Sequence, residues 1–130
     1  MTMQPRLPTI VGPARWPASG RSPEFAIATH GRPFWIVEMA TDRALVGGAE
    51  QARTEDNYFF GSDRPGVIGV GPAWTVPPET WVRFRRSPSV VYRVFAFARV
   101  TWSEDWAVSV GDGELADLPV LTISGQHADR

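Results

Sequence analysis

Twelve prolines and twelve glycines spread through the 130 residues set the first limit on what this chain can fold into. Inside a helix proline lacks the amide donor and clashes with the turn before it, and glycine gives up the most backbone entropy, so long helices do not survive this punctuation. The pieces between the breaks are rich in Val, Ile, Phe, Trp and Thr, residues that suit a pleated, half-buried surface. Strands are therefore predicted at Leu7–Val11, Glu24–Thr29, Pro33–Ala40, Asn57–Phe60, Ala73–Val76, Ser89–Arg99, Trp106–Val110 and Leu118–Ser124. Turn signals lie between them: THGRP, LVGGAE, GSDRPG, GVGP, RRSPS and VGDGE. One helical turn is predicted in PPETWVRF, where Pro77 or Pro78 suits the first helical position and Glu79 the positive end of the helix.

Short strands at this spacing specify an all-β chain, an antiparallel two-sheet sandwich or barrel. With 43% hydrophobic and 12% aromatic residues the chain can build a real core as one domain. Residues 24–124 are expected to form the sandwich. A proline-stiffened extended arm over 1–23, anchored by Trp16, precedes it, and a frayed tail over 125–130 follows.

Composition removes several functions. Thirteen basic and 14 acidic residues leave a formal charge of −1, so no global field draws in nucleic acid or an anionic membrane. All the basic residues are arginine. Without cysteine there is no disulfide framework, thiolate zinc site or cysteine nucleophile. No stretch approaches the roughly 18 to 20 apolar residues a membrane span needs. The opening MTMQPRLPTIVGPARWPASG has no apolar run of signal-peptide length, which makes the cytoplasm the default expectation.

Three segments carry a resemblance. They are EFAIATHGRPFWIVEMATDRAL, AWTVPPETW and VVYRVFAFARVTWSEDW. Their order resembles a fibronectin type III-like or immunoglobulin-like domain, and the third looks like the YYxRVxA…W strand of bacterial members. The resemblance covers roughly residues 24 to 124 and implies a β-sandwich in which Pro33–Ala40 pairs with Ser89–Arg99. It leaves function open, because this architecture hosts adhesion, sugar binding, spacing and docking alike. The stretch from Gly47 to Pro72 is too long for a simple hairpin and predicts an elaborated connection or an extra strand pair.

The segment SVVYRVFAFAR bears most directly on function. Alternation puts Tyr92, Val94, Ala96 and Ala98 on one face, and Val91, Arg93, Phe95, Phe97 and Arg99 on the other. In the implied pairing Trp35, Val37 and Met39 join the first set in the core. Phe34, Ile36 and Glu38 then point outward beside Arg93, Phe95, Phe97 and Arg99. A solvent-facing sheet is normally polar on that side, so an apolar patch of about 300 to 600 Å² calls for a cover. Either the chain supplies it, through the arm with Trp16 or the 47–72 connection with Tyr58, Phe59 and Phe60, or a protein partner or second copy does. Glu38 opposite Arg93 or Arg99 is expected to form a cross-strand ion pair contributing about 0.2 to 1 kcal/mol and helping to set register.

The expected function is a non-catalytic interaction module whose binding surface is Phe34, Ile36, Glu38, Arg93, Phe95, Phe97 and Arg99. Its partner is a protein or another copy of the chain, with no cofactor or metal. One alternative is a carbohydrate-binding module that stacks sugar rings on Trp16, Trp81 and Trp102 in the arm and loops. A second is a small hydrolase using loop carboxylates from SEDW or GDGELAD. WVRFRRSPSVVYR mixes aromatics with Arg83, Arg85, Arg86 and Arg93 as nucleic-acid readers do, but arginine stems lying over apolar neighbours explain it as well. Glu55 and Asp56, Glu104 and Asp105, and Asp112, Glu114 and Asp117 lack the spacing of a recognised calcium loop. His30 and His127 are the only histidines, too few for a multi-histidine metal site. GVIGVG lacks the Lys-Ser/Thr ending of a phosphate loop.

Overall fold

Short strands alternate with turns rich in proline and glycine, and the strands pair into two sheets. The computed structural model describes residues 6–48, 50–100 and 105–125. The strands are β1 (Thr9–Val11), β2 (Arg15–Pro17), β3 (Glu24–Ala28), β4 (Phe34–Ala40), β5 (Tyr58–Gly61), β6 (Gly69–Val70), β7 (Ala73–Thr75), β8 (Ser89–Phe97), β9 (Trp106–Val108) and β10 (Val120–Ser124). One helix, α1 (Pro78–Phe84), and 3-10 turns at Arg43–Leu45, Glu50–Ala52 and Asp112–Asp117 complete the described elements.

The smaller sheet is antiparallel in the order β1-β3-β7. The larger runs β2-β10-β8-β4-β5, with β6 beside the start of β4 and β9 beside the end of β8. Its pairs are antiparallel except β2 with β10, which is parallel.

The core lies between the sheets because alternation sorts the side chains that way. In β3, Phe25 and Ile27 are buried while Glu24 and Ala26 are exposed. Across from them the larger sheet contributes Trp35, Val37, Met39, Val90, Tyr92, Val94, Leu121 and Ile123. Phe25 meets Tyr92 edge-on at 4.8 Å and tilts against Trp74 at 5.3 Å. Two indoles tie down the long connection before β7. Trp74 Nε1 donates to the Ser62 carbonyl at 2.6 Å, and Trp35 Nε1 donates to that of Gly71 at 2.9 Å. The THGRP turn carries the chain from β3 in one sheet to β4 in the other, with His30 and Gly31 at φ 54° and 102°.

Every predicted strand overlaps an observed one, and PPETWVRF forms α1 behind Pro77 as its cap. The segment read as an extended arm ahead of the sandwich is different. Thr9–Val11 joins the smaller sheet and Arg15–Pro17 the larger, so the folded unit begins before Glu24. β8 ends at Phe97, which leaves Ala98 half-buried and Arg99 exposed beyond the strand. Apart from Gly125, the predicted tail lies outside the described residues.

Candidate functional site

β4 and β8 run side by side in full register, and their outward side chains stack as four rungs: Phe34 with Phe97, Ile36 with Phe95, Glu38 with Arg93 and Ala40 with Val91. Residues directly opposite on antiparallel strands share a face, so flanking strands extend these rungs. Val70 and Trp106 continue the first, Val108 the second, Phe60 the third, and Tyr58 and Val120 the fourth. Six of the seven residues singled out in the sequence thus converge on one face. The seventh, Arg99, lies past the end of the strand.

That face is largely covered by the chain itself. Phe97 is 0% exposed, and Ile36 and Phe95 are buried with Phe34, Phe60, Ile68 and Val108 packed on them. Ile68 comes from the long connection, one of the covers the sequence suggested; Phe59 of that connection instead enters the main core. Trp16, the other suggested cover, packs against the main core. A second outer cluster of Ala40, Leu45, Val46, Val91 and Leu118 forms under the turns at Arg43–Leu45 and Asp112–Asp117. The flanks of the first rung stay open, with Val70 exposed and Trp106 exposed by 47%.

Between the two apolar clusters sits the polar rung. Glu38 and Arg93 are only 2% and 3% exposed. Arg93 Nε donates to Glu38 Oε1 at 2.6 Å, while its Nη1 donates to the Val110 carbonyl at 2.8 Å and lies 2.9 Å from Asp112 Oδ1. The other carboxylate oxygen of Glu38 accepts from the Tyr58 hydroxyl and lies 3.7 Å from Arg53 Nη2. Arg53 is itself held by the Leu45 carbonyl at 3.0 Å, and its guanidinium covers the Tyr58 ring at 4.3 Å. Arg93 in turn lies 4.8 Å over the Phe95 ring. Burial, then the hydrogen bond and charge of Glu38, push the Tyr58 phenol well above the ordinary tyrosine range against the opposing pull of Arg53 and Arg93.

A cleft of about 530 Å³ opens over this rung. Glu38 and Arg93 are among its lining, with Tyr58, Phe60, Phe95 and Trp106 as aromatic walls. Gly47 and Gly48 border it, and the first must stay small: at φ 85° a Cβ there would stand 3.1 Å from Asp112 Oδ1. Glu50 and Asp112 add carboxylates that are mostly exposed. The volume falls in the range of small-ligand pockets.

Sequence reasoning missed Arg53, Trp106 and Asp112 as members of this site. The YFF alternation puts Tyr58 and Phe60 on one face, but nothing local assigns Arg53 to Glu38 or Asp112 to Arg93.

The tryptophans named for sugar stacking divide. Trp16 and Trp81 line one cavity away from this face, but Trp81 is buried in α1, not displayed on a loop. Trp102 lies outside the described residues, as do Glu104 and His127. The acidic pairs go to separate arginines, Glu55 and Asp56 to Arg83 and Asp105 to Arg32. Among the described residues no three metal-ligating side chains cluster, and no helix is long and apolar enough to cross a membrane.

These features define a mostly β, two-sheet protein with a charged, aromatic-walled cleft on its larger sheet. No family model, curated protein or solved structure matches the chain.

Proposed function

We propose that this chain is a non-catalytic interaction module of fibronectin type III-like or immunoglobulin-like architecture that binds a protein partner on the outer face of its larger sheet. A three-stranded sheet packed on one built around the β4–β8 pair supports the architecture. The observation that carries the function is the buried Glu38–Arg93 rung at the floor of an aromatic-walled cleft. A buried ion pair is weak evidence for stability, and Tyr58 bonded to it is a group whose ionisation the site has shifted, as groups at functional sites often are. Glu38 accepts from Arg93 and Tyr58 and faces Arg53, so both of its carboxylate oxygens are engaged inside the protein.

The rim selects the occupant. Arg53 and Arg93 are engaged with Glu38, whereas Glu50 and Asp112, which touch Arg53 and Arg93, still keep most of their carboxylate surface exposed in the cleft that Trp106 also lines. Aromatic walls with carboxylates at the edge suit an arginine or lysine side chain of the partner. A random-peptide display library panned on the folded protein tests this. Enriched peptides are expected to carry Arg or Lys next to an apolar residue, with binding about tenfold weaker to Trp106→Ala. Enrichment of acidic peptides, or affinity indifferent to that change, would reject the reading.

A further inference from the structure

The cavity lined by Trp16 and Trp81 measures about 510 Å³ and shares no residue with the outer-face cleft. Pro78 and Val82 add to its apolar wall, and Arg21, Arg85 and Glu24 are its charged residues. Trp16 Nε1 spends its hydrogen bond on the Arg21 carbonyl at 2.9 Å, and the Arg21 guanidinium lies 5.9 Å from the centre of the Trp16 ring, holding a cation beside the indole.

Two donors here have no acceptor. Trp81 is 2% exposed with its Nε1 unpartnered, and Arg85 Nε is likewise buried and unpartnered; these are the two such side-chain atoms among the described residues. A buried donor without an acceptor has given up water for nothing, which makes such groups rare and each one in need of a reason. These two stand four residues apart on α1 and its C-cap, and both side chains line the same cavity. Arg85 is only partly buried and rich in rotamers, so its guanidinium can turn toward that space at little cost.

The lining chemistry narrows the ligand. Two arginines against one glutamate leave a single positive charge, which suits a monoanion and disfavours a phosphate dianion. Two N–H donors match the two oxygens of a carboxylate, and the indole, proline and valine surface matches a flat apolar body. We propose that this cavity binds a small aromatic monocarboxylate, its carboxylate bonded by Trp81 Nε1 and Arg85 Nε beside Arg21 and its ring against Trp16.

Calorimetric titration of the full chain with benzoate, benzyl alcohol, inorganic phosphate and glucuronate tests the assignment. Benzoate is expected to bind saturably, and benzyl alcohol about tenfold more weakly or worse because it lacks the charged acceptor. Trp81→Phe keeps an aromatic ring but removes the donor, so benzoate affinity should fall about tenfold, a loss read separately from the lower melting temperature that the smaller buried ring brings. Arg85→Leu should give the same loss of affinity without altering the core. The proposal is overturned by absent benzoate binding, by equal affinity for benzyl alcohol, by tighter phosphate or glucuronate binding, or by undiminished affinity in both variants. None of these results bears on the peptide contact at Trp106.

Discussion

Arg93 Nε donates to Glu38 Oε1 across 2.6 Å from the directly opposite position on the neighbouring strand, and both side chains are almost wholly out of water. Rungs of Ile36 with Phe95 and Ala40 with Val91 enclose the pair from either side. Removing one partner strands a buried charge, so Arg93→Met is expected to cost about 3 to 5 kcal/mol. The double change Glu38→Leu with Arg93→Met should regain most of that loss, because two apolar groups can fill the gap between the clusters. Urea denaturation of both variants measures the difference; a double variant no more stable than the single would refute the account.

Both tyrosines of the chain resist ionisation when folded. Burial raises Tyr92 despite its bond to the Gly12 backbone, and burial followed by Glu38 raises Tyr58. The unfolded chain therefore releases these protons first as pH rises. Their contribution to stability is complete below the unfolded value of about 10 and is lost as pH climbs through the folded values. Absorbance at 295 nm should show less tyrosinate in the folded protein near pH 10 than in the unfolded chain, and Tyr58→Phe should flatten the alkaline fall in stability. A full two-tyrosine titration centred near 10 in the native state would contradict this.

Phe97 and Trp106 stand opposite each other on β8 and β9, yet their environments differ sharply. Phe97→Ala empties a fully enclosed site and is expected to cost about 3 to 5 kcal/mol. Trp106→Ala trims a half-exposed ring whose centre lies 6.0 Å from that of Phe95 and should cost about 1 kcal/mol. Thermal melts that rank the two the other way round would show that the outer face is assembled differently.

Gly69 holds β6 against an indole. A Cβ there would come within 2.6 Å of the Trp35 ring, which is buried and anchored to the Gly71 carbonyl. Gly69→Ala must push β6 aside and lift Ile68 from Phe95 and Ile36, at an expected cost of about 1 to 3 kcal/mol. Enhanced fluorescence of an apolar dye such as ANS should accompany the loss. An unchanged melting temperature and dye signal would show that β6 is not the cover.

The strands were largely legible because period-two alternation is a local property. Phe25 and Ile27 are separated from Glu24 and Ala26 by geometry that every β-strand obeys. β2 and β6 were not legible. Arg15–Pro17 is too short to signal anything alone and is a strand because β10 runs beside it, while Gly69–Val70 is one because Phe34 and Trp35 do.

The same division holds for the site. By itself the sequence determined which side of the sheet Phe34, Ile36, Glu38, Arg93, Phe95 and Phe97 occupy, since the backbone alone sets the direction of each side chain. Tertiary structure alone decided that Ile68 and Val108 would cover the aromatic end while a cleft stayed open over the charges. It also brought Arg53, Tyr58 and Asp112 to the Glu38–Arg93 pair. Exposure depends on what else folds onto a face, and contacts between residues far apart in the chain leave no local pattern to read.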